Sequence, residues 1–563
     1  MDNEQRLEGL ADRLHTNLRA AGIPFEDADI AEILERAYLH TVAAFEDLVE
    51  AMDPNTVPEY LAAGPAPIAQ PAVQPDAQRT LERALPVAMR PIPGGLPWTD
   101  RPERARRHAS IAEIARLVRA RQVSPVELTE QSLAAIEAVD PELNAFQCLL
   151  ASCARDDARA AEDEIAAGTY RGPLHGVPVA AKDLLAMAGT ETTAGSTILG
   201  GWVPDFDAAA VERLRQAGAV IVGKTRLSEI AYSPGSNNAH YGPTRNPWNP
   251  LHDTGGSSSG SAAAVAAGLV YGALGTDTGG SIRIPGSLCG IVGLKPTYGR
   301  CSLFGCVSLA WSLDHIGPLA RSVADAALLL EALAGHDTRD PRTRAGSSWR
   351  LDARHLETGV RGLRVGVVRD DGSGRTLGTP EALAAWQAGL RALESQGAQL
   401  VELDLPQLEA LRTLNSTILV LEALTYHQSA LRTRLSDFGP FPRRRVLHGL
   451  AHGPLAFVQA SQLRGALRRA CDQIWERVDL LSTPTMPYAA PLLGTPATTT
   501  FTGPFNCLGW PALTVPVGRD AADLPFGLQL VGRPWDEATV LRAGRVVELY
   551  GPWRVAESGA SIM

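Results

Sequence analysis

The stretch DTGGSSSGSAAAVAAGLVYGALGTDTGGSIRIPGSLCGIVGLKP, from Asp253 to Pro296, contains two glycine–serine clusters joined by a run of small residues. The run Ser261–Gly268 is rich in alanine, a strong helix former, and holds no large side chain. We therefore predict a helix here that other backbone segments can approach closely. Such a helix would bring the two clusters together, with Ser257 in the first and Ser281 in the second.

The first cluster, Gly255–Gly260, admits three interpretations. It could be a flexible linker, although its flanks are apolar and structured. It also matches the G-x-S-x-G nucleophile elbow with Ser258 as nucleophile, which needs a strand ending immediately before the cluster. Residues 249–254 have the composition of a loop, and the elbow leaves the second cluster unexplained. In the third interpretation, Ser257 and Ser281 act together.

Apolar strands alternate with helical segments from about residue 170 onward. The predicted strands include Gly176–Ala181, Ala219–Val222, Leu363–Val368 and Gln399–Leu403, and the predicted helices include Ala208–Gln216 and Pro380–Ser395. Upstream, Ser110 with Glu113 forms a capping box, and Ser124-Pro125 marks a second helix start. The pattern predicts an α/β fold with a largely buried sheet flanked by helices.

The first 60 residues differ from the rest of the chain in charge. They hold fourteen Asp and Glu residues against four Arg, which accounts for the net charge of −10. Two apolar runs at helical spacing predict two or three helices: Leu7, Leu10, Leu14 and Leu18, then Ile30, Ile33, Leu34 and Tyr38. We predict an N-terminal helical domain over 1–60, a Pro/Ala-rich linker over 61–108 and a catalytic domain over 109–563.

Composition argues against several classes of function. An acidic chain lacks the basic surface that nucleic-acid binding needs. The N-terminus has no apolar signal core, and the longest apolar run, Ala262–Gly275, is too short to span a membrane. Seven cysteines without metal-ligand spacing favour reduced thiols in the cytoplasm. We expect no nucleic-acid partner, no membrane association, no metal and no cofactor.

The ordered motifs GVPVAAKDLL, GGSSSGS, GTDTGGSIRIP and CGIVGLKPTYGR resemble the amidase signature family. The resemblance covers roughly 110–550 and includes the C-terminal blocks Pro504–Gly518 and Leu524–Pro534. It implies a central mixed β-sheet flanked by helices, here with an N-terminal helical appendage. Many family members have glycine at the position of Ser259, a departure outside the catalytic positions.

The resemblance also implies a catalytic triad of Ser281, Ser257 and Lys182. The nucleophile would be Ser281, which follows Ser257 by 24 residues as in the family. Ser257, preceded by a cis peptide bond, would relay protons to a neutral, buried Lys182.

Residues around the two serines would support the triad. Backbone N–H groups of the oxyanion hole would come from four residues: Thr278, Gly279, Gly280 and Ser281. Asp277 and Arg283 are predicted to brace that loop, with Ser258 as a structural hydrogen-bonding residue. His315 could act as a base, but its motif is a structural turn in the family. Four aromatic residues could line the acyl pocket: Tyr232, Phe304, Trp311 and Trp510.

We expect a stand-alone serine hydrolase that cleaves a small-molecule amide, with carbamates (urethanes) or esters as further substrates. One alternative is the glutaminase component, the A subunit, of a tRNA-dependent amidotransferase. Another is a non-catalytic binding protein on the same fold. The N-terminal helices resemble the small helical subunit that accompanies such amidases, so they could pack on the hydrolase as a fused module or form a homodimer contact.

Overall fold

A computed structural model describes residues 3–24, 36–51, 109–344, 347–350, 353–372, 374, 377–495 and 497–553. The strands are β1 Phe146–Leu149, β2 Pro178–Lys182, β3 Val220–Thr225, β4 Gly272–Thr276, β5 Val292–Lys295, β6 Ile316–Ala320, β7 Arg364–Val368, β8 Gln399–Leu403, β9 Leu480–Pro484, β10 Ala512–Arg519 and β11 Pro525–Gly532. The helices are α1 Asn3–Ala21, α2 Arg36–Glu50, α3 Ile111–Arg119, α4 Pro125–Leu143, α5 Ala151–Ala166, α6 Ala209–Gln216, α7 Ser259–Ala266, α8 Arg283–Leu288, α9 Val323–Leu333, α10 Ala353–Leu356, α11 Pro380–Ser395, α12 Gln407–Thr433, α13 Pro440–Leu447, α14 Ala456–Asp472, α15 Gly503–Leu508 and α16 Glu537–Tyr550.

The strands form one mixed sheet in the order β1-β3-β2-β4-β6-β5-β10-β11-β9-β7-β8. Parallel pairs join β3, β2 and β4 on one side and β9, β7 and β8 on the other, while the pairs between these groups are antiparallel. Every residue of β2 and of β4 is buried. Strands buried on both faces need helices above and below them, so the predicted layered α/β fold is confirmed.

Local sequence signals set several element boundaries. The Ser110 hydroxyl accepts a hydrogen bond from the Glu113 N–H at 3.1 Å, and α3 begins at the next residue. The Ser124 hydroxyl accepts from the Val126 and Glu127 N–H groups at the start of α4. Both predicted helix starts are confirmed, because each serine oxygen pairs with N–H groups that have no partner within the helix. Among the described residues, the Glu113 side chain does not return a bond to the Ser110 N–H, so Ser110 is an N-cap without the full capping box.

The predicted elements differ from the observed ones mainly at their ends. Helix α11 and strand β8 have the predicted bounds. Strand β2 begins and ends later than predicted and includes Lys182 as its last residue. Helix α7 begins at Ser259, two residues before the predicted start, and directly follows Ser257 and Ser258. These shifts bring the chemically active residues onto the ends of regular elements.

Helices α1 and α2 pack against the helical part of the catalytic region. Leu10, Leu14, Leu18 and Phe45 are buried in one cluster with residues of α12. The Asn17 side chain donates to the Leu450 carbonyl at 2.6 Å, a contact between parts of the chain far apart in sequence. The predicted linker over 61–108 and the residues Ile30, Ile33 and Leu34 lie outside the described residues, and the domain boundaries stay a prediction.

Candidate active site

Three chain segments meet at the ends of β2 and β4. Lys182 is the last residue of β2, Thr276 is the last residue of β4, and Ser257 and Ser258 immediately precede α7. The Lys182 Nζ donates to the hydroxyls of Ser257 at 2.8 Å, Ser258 at 3.0 Å and Thr276 at 2.8 Å. Parallel pairing of β2 and β4 places both strand ends at the same edge of the sheet, which explains this convergence.

The Lys182 amine is fully buried. Burial lowers its pKa from 10.5 to about 7, because the charged form loses its hydration shell. The charges of Asp277 and Asp314 oppose that shift only in part. The amine is thus close to half neutral at neutral pH and can accept a proton.

The peptide bond between Gly256 and Ser257 is cis, as the family resemblance implies. The Ser257 carbonyl accepts from the Ser228 N–H at 3.3 Å, and the Gly256 N–H donates to the Pro234 carbonyl at 2.7 Å. A Cβ at position 256 would lie 2.8 Å from the Ser233 carbonyl oxygen. Only glycine fits there, because neighbouring backbone lies directly against it.

Ser281 is the most accessible of the three clustered serines. It keeps 8% of its surface exposed, whereas Ser257 and Ser258 are fully buried. Its carbonyl accepts from the Ser258 N–H at 3.2 Å, so the two clusters do lie together. The Ser281 hydroxyl makes no hydrogen bond with the described residues, and Ser281 is the one of the three serines with any solvent exposure.

Ser258 has a different environment. Its hydroxyl donates to the Thr276 carbonyl and accepts from the Thr276 N–H, both at 3.2 Å, in addition to the contact with Lys182. A fully buried hydroxyl with three partners suits a structural bridge between α7 and β4. The nucleophile-elbow interpretation requires an accessible serine at this position.

The loop 278–281 contains backbone N–H groups that have no acceptor among the described residues. This holds for the N–H groups of all four of its members. Its carbonyls are occupied: Asn415 donates to Thr278 O at 3.2 Å, Thr502 to Gly279 O at 2.6 Å and the Ile284 N–H to Gly280 O at 2.7 Å. Buried N–H groups are normally paired, so this loop offers the donors that an oxyanion needs.

Gly280 allows the turn that produces this arrangement. Its φ is +138°, a region that L side chains rarely adopt. A Cβ there would also meet the Thr502 hydroxyl and would lie 2.7 Å from Ile284 Cδ1. The glycine is therefore needed for both backbone conformation and space.

Asp277 and Arg283 form the predicted brace across the loop. Arg283 Nε and Nη2 donate to the two Asp277 carboxylate oxygens at 3.0 and 2.9 Å, with both side chains fully buried. Burial would raise the pKa of Asp277, but the charge and hydrogen bonds of Arg283 outweigh it and hold that pKa well below its ordinary value. Asn506 and Gln529 each accept a further guanidinium hydrogen bond, so four of the five Arg283 donors are paired and the buried charge has a counter-charge.

His315 is buried behind the same loop and occupies a structural position. Its Nδ1 faces the carbonyls of Leu313 at 2.7 Å and Asp277 at 3.1 Å, and its Nε2 lies 3.4 Å from Lys295 Nζ. Burial, followed by the charge of Lys295, holds the pKa of His315 well below its ordinary value. Both ring nitrogens are occupied, so the ring positions backbone rather than a reacting serine.

Sequence reasoning missed several residues that shape the site. The Thr276 hydroxyl accepts from Lys182, and Asn415 and Thr502 donate to carbonyls of the loop 278–281. Asn506 donates to the Asp277 carbonyl just before that loop, and Asp314 accepts from the Thr278 hydroxyl at 2.6 Å. Thr502 and Asn506 flank or lie in the C-terminal motif Pro504–Gly518, which was the available signal for them. Asn415 lies in α12, outside every motif.

The four aromatic pocket candidates lie in different environments. Trp510 is fully buried and packs on Trp475 with ring centroids 4.6 Å apart, so it belongs to the core. Tyr232 is buried, and the guanidinium carbon of Arg445 lies 4.5 Å from the centroid of its ring. The guanidinium carbon of Arg339 lies 4.0 Å from the centroid of the Phe304 ring. Trp311 is half-buried. A role for these residues in the acyl pocket stays a prediction.

Comparison with known proteins agrees with the geometry. The Amidase family model matches residues 127–541. The chain belongs to the amidase family. It is 43% identical over 466 residues to the A subunit of glutamyl-tRNA(Gln) amidotransferase from Anaeromyxobacter dehalogenans strain 2CP-C, a match that covers 77% of this chain and 94% of that protein. The family match begins after α1, α2 and α3, so these helices precede the matched region.

Two solved structures support the fold assignment. One belongs to a vestigial protein complex that reveals the evolutionary origins of an s-triazine catabolic enzyme, with 36% identity and a TM-score of 0.74. It covers 78% of this chain and 98% of its own. The other is an amidase with 37% identity and a TM-score of 0.71, covering 79% of this chain and all of its own, 100%.

None of the described helices has both the length and the apolar character needed to cross a membrane. Across the same described residues, no group of three His, Cys, Asp or Glu side chains has an arrangement that could hold a metal ion.

Proposed function

We propose that the chain hydrolyses an amide bond through an acyl-enzyme on Ser281, with Ser257 and Lys182 as the other members of the triad. One observation carries the proposal. A buried lysine with a pKa of about 7 contacts Ser257 at 2.8 Å, beside a loop with unused N–H donors and an accessible Ser281. An amide has a poor leaving group, so it needs an activated nucleophile, a proton donor and oxyanion stabilisation together.

In the first half-reaction, the Ser281 hydroxyl oxygen attacks the carbonyl carbon. Its proton passes to the Ser257 hydroxyl while Ser257 gives its own proton to neutral Lys182. The C–N bond then breaks, and the reverse relay delivers a proton from Lys182 to the leaving nitrogen. Ammonia or an amine departs, and the acyl group remains as an ester on Ser281.

In the second half-reaction, water attacks that ester. The same relay takes a proton from the water and returns one to Ser281 as the acid product leaves. In both half-reactions the negative charge on the carbonyl oxygen would be stabilised by N–H groups of Thr278, Gly279, Gly280 and Ser281. Hydrogen bonds to the carbonyls of the same loop fix its backbone, so its N–H groups need little reorganisation during the reaction.

The comparisons support the glutamine-hydrolysing component of an amidotransferase better than a stand-alone amidase. The relative from Anaeromyxobacter is named as the A subunit of such an enzyme, at 43% identity over nearly its whole length. A chain of this kind would release ammonia from an amide for use by a partner protein. The stand-alone amidase, with carbamates or esters as further substrates, is supported by the solved amidase at 37% identity. A non-catalytic binding protein is disfavoured by the accessible Ser281 beside a neutral base.

Two measurements test the proposal. A fluorophosphonate probe should label wild type and should fail to label Ser281→Ala, while Ser258→Ala keeps its labelling. Absence of labelling in wild type favours a non-catalytic protein. Labelling that is lost in Ser258→Ala and kept in Ser281→Ala would make Ser258 the nucleophile, as in the G-x-S-x-G interpretation. Hydrolysis of glutamine and of simple aliphatic, aromatic and carbamate substrates then separates the two finer assignments. Strict dependence on a partner, ATP and glutamyl-tRNA identifies an amidotransferase component, and full turnover by the chain alone identifies an amidase.

A further inference from the structure

A surface cavity whose lining includes none of the catalytic residues carries an unusual concentration of positive charge. Its lining includes Tyr298 and Trp535 together with three arginines: Arg344, Arg464 and Arg468. The cavity has a volume of about 70 Å³. Its remaining lining residues are a threonine, a leucine and a glycine, so no carboxylate lines it.

Helix α14 carries two of these arginines, and hydrogen bonds hold the side chain of one of them, Arg464. Arg464 and Arg468 are one turn apart on α14, and residues at this spacing lie on the same helix face. Arg464 donates to the Cys507 carbonyl at 2.6 Å and to the carbonyl and hydroxyl of Ser312 at 3.1 and 3.2 Å. These contacts use three of its five donors and leave two for another acceptor.

The side chains of the other two arginines have no hydrogen-bond or ion-pair partner within the described part of the protein. Among the described residues, the side chains of Arg344 and Arg468 make no hydrogen bond and no ion pair within 4 Å, although the charge of Arg468 partly opposes the burial that raises the pKa of Asp472. Elsewhere an exposed arginine of this chain meets a carboxylate directly, as Arg155 meets Glu130 at 2.6 Å. Three like charges around one cavity repel each other unless an anion lies between them.

Tyr298 forms a neutral wall of this cavity. Burial raises the pKa of its hydroxyl to about 12, so it stays protonated, and the nearby charges of Arg342 and Arg464 only partly oppose that shift. The Tyr298 hydroxyl donates to the Trp311 carbonyl at 2.8 Å, which holds the ring in place at the cavity wall. The Trp535 backbone N–H donates to Thr297 at 2.8 Å and holds the other wall.

We propose that this cavity binds a phosphate group carried by a small organic molecule. The guanidinium groups would bind the phosphate oxygens, because the planar fork of arginine matches that geometry, and the two aromatic walls would contact the organic part. Arg464 also links the cavity to the catalytic region through its contact with Ser312. The Ser312 N–H donates to Glu422 at 3.0 Å on α12, the helix whose Asn415 donates to the Thr278 carbonyl.

Titration calorimetry on the full chain tests the site, with inorganic phosphate and phenyl phosphate as probes and sodium chloride at matched ionic strength as the blank. We expect saturable binding of one phosphate group per chain, with phenyl phosphate tighter than inorganic phosphate. Arg468→Ala should raise Kd about tenfold, the loss of roughly one charge-assisted contact. Arg344→Ala should act in the same direction, and higher salt should weaken binding.

Arg469→Ala is the matched control, because Arg469 is the exposed neighbour of Arg468 on α14 and does not line the cavity. It should leave Kd unchanged. Absence of saturable binding in wild type, or an equal loss in Arg468→Ala and Arg469→Ala, overturns the site. Binding is read without substrate, so failure here leaves the proposed amidase activity unaffected, and loss of fluorophosphonate labelling would not alter this result.

Discussion

The side-chain nitrogen of Lys182 lies 2.8 Å from the hydroxyl oxygen of Ser257, and both side chains are fully buried. The Ser258 and Thr276 hydroxyls complete a shell of three hydroxyl oxygens around this nitrogen. Within the described part of the chain, no carboxylate lies at ion-pair distance from it. A carboxylate would fix the charged form, whereas hydroxyls can accept from an ammonium or donate to a neutral amine.

The first prediction concerns the pH dependence of activity. The pKa of Lys182 is lowered from 10.5 to about 7, and the neutral amine is the proposed base. We expect kcat/KM to fall as pH drops below about 7 and to level off above it. A pH–rate profile with a hydrolysed amide checks this. A profile that is flat across this range, or a Lys182→Met variant that keeps wild-type kcat, would contradict the assignment of Lys182 as base.

The same pKa shift predicts how stability changes with pH. Between pH 7 and 10.5, Lys182 is protonated in the unfolded chain and neutral in the folded one. The unfolded chain therefore binds more protons in this window, and the contribution of Lys182 to the free energy of unfolding rises with pH. Urea unfolding of wild type and Lys182→Met should show wild type gaining relative to the variant from about pH 7 to about pH 10. If the difference in free energy of unfolding between wild type and Lys182→Met does not change with pH, the Lys182 amine is solvated and its pKa is not lowered by folding.

The third prediction concerns the loop with the unused N–H groups. In Gly280→Ala the new methyl group would collide with Thr502 and Ile284, and φ of +138° would become strained. We expect the loop to move and kcat to fall by about 10²-fold or more, the typical cost of losing an oxyanion donor. Gly453→Ala is the control, because a Cβ there meets nothing within 4 Å. It should leave kcat unchanged, and similar kinetics in both variants would contradict the role of the loop.

The fourth prediction concerns the buried ion pair of Asp277 and Arg283. Asp277→Asn leaves the fully buried Arg283 guanidinium without its counter-charge. Breaking one partner of such a pair typically costs about 3–5 kcal/mol of folding free energy. The melting temperature should fall, and kcat should fall with it, because the Asp277 carboxylate also accepts from the Ile282 N–H beside Ser281 at 3.1 Å. An unchanged melting temperature in Asp277→Asn would show that the Asp277–Arg283 ion pair does not stabilise this loop.

The parts of the site that the sequence predicted are those joined by short chain segments or by a motif. Ser257, Ser258, Thr278 and Ser281 lie within one stretch of sequence, and a helix of small residues connects them. Lys182 ends an apolar strand, and strands of this type are buried and meet at one edge of a sheet. The family motifs supplied the pairing of Lys182 with Ser257, which no local pattern contains.

The residues that the sequence did not reveal come from far along the chain. Asn506 donates to the Asp277 carbonyl across 229 positions, and Asn415 to the Thr278 carbonyl across 137 positions. Asparagine in a helix has many possible roles, and no periodic pattern marks one that contacts a distant loop. Strand β2 ends one residue later than predicted for a similar reason, since pairing with β3 extends it to Lys182.

The fifth prediction concerns the N-terminal helices. Leu14 on α1 is fully buried against the catalytic region, and on either side of it Arg13 donates to the Ala451 carbonyl at 3.2 Å and Asn17 to the Leu450 carbonyl at 2.6 Å. An aspartate at position 14 would be a buried, unpaired charge, so Leu14→Asp should lower the free energy of unfolding by about 2–4 kcal/mol. Thr16→Asp is the control, because Thr16 is exposed on the same helix.

Urea unfolding and limited proteolysis of both variants check this, together with their elution volumes in size-exclusion chromatography. Leu10, Leu14 and Leu18 are buried within one chain, so this face of α1 is not free to contact a second copy. We therefore expect Leu14→Asp to loosen α1 and increase cleavage there without changing the oligomeric state. Equal stability of the two variants would mean that α1 does not stabilise the catalytic region. A dimer dissociated by Leu14→Asp would instead favour a homodimer contact through these helices.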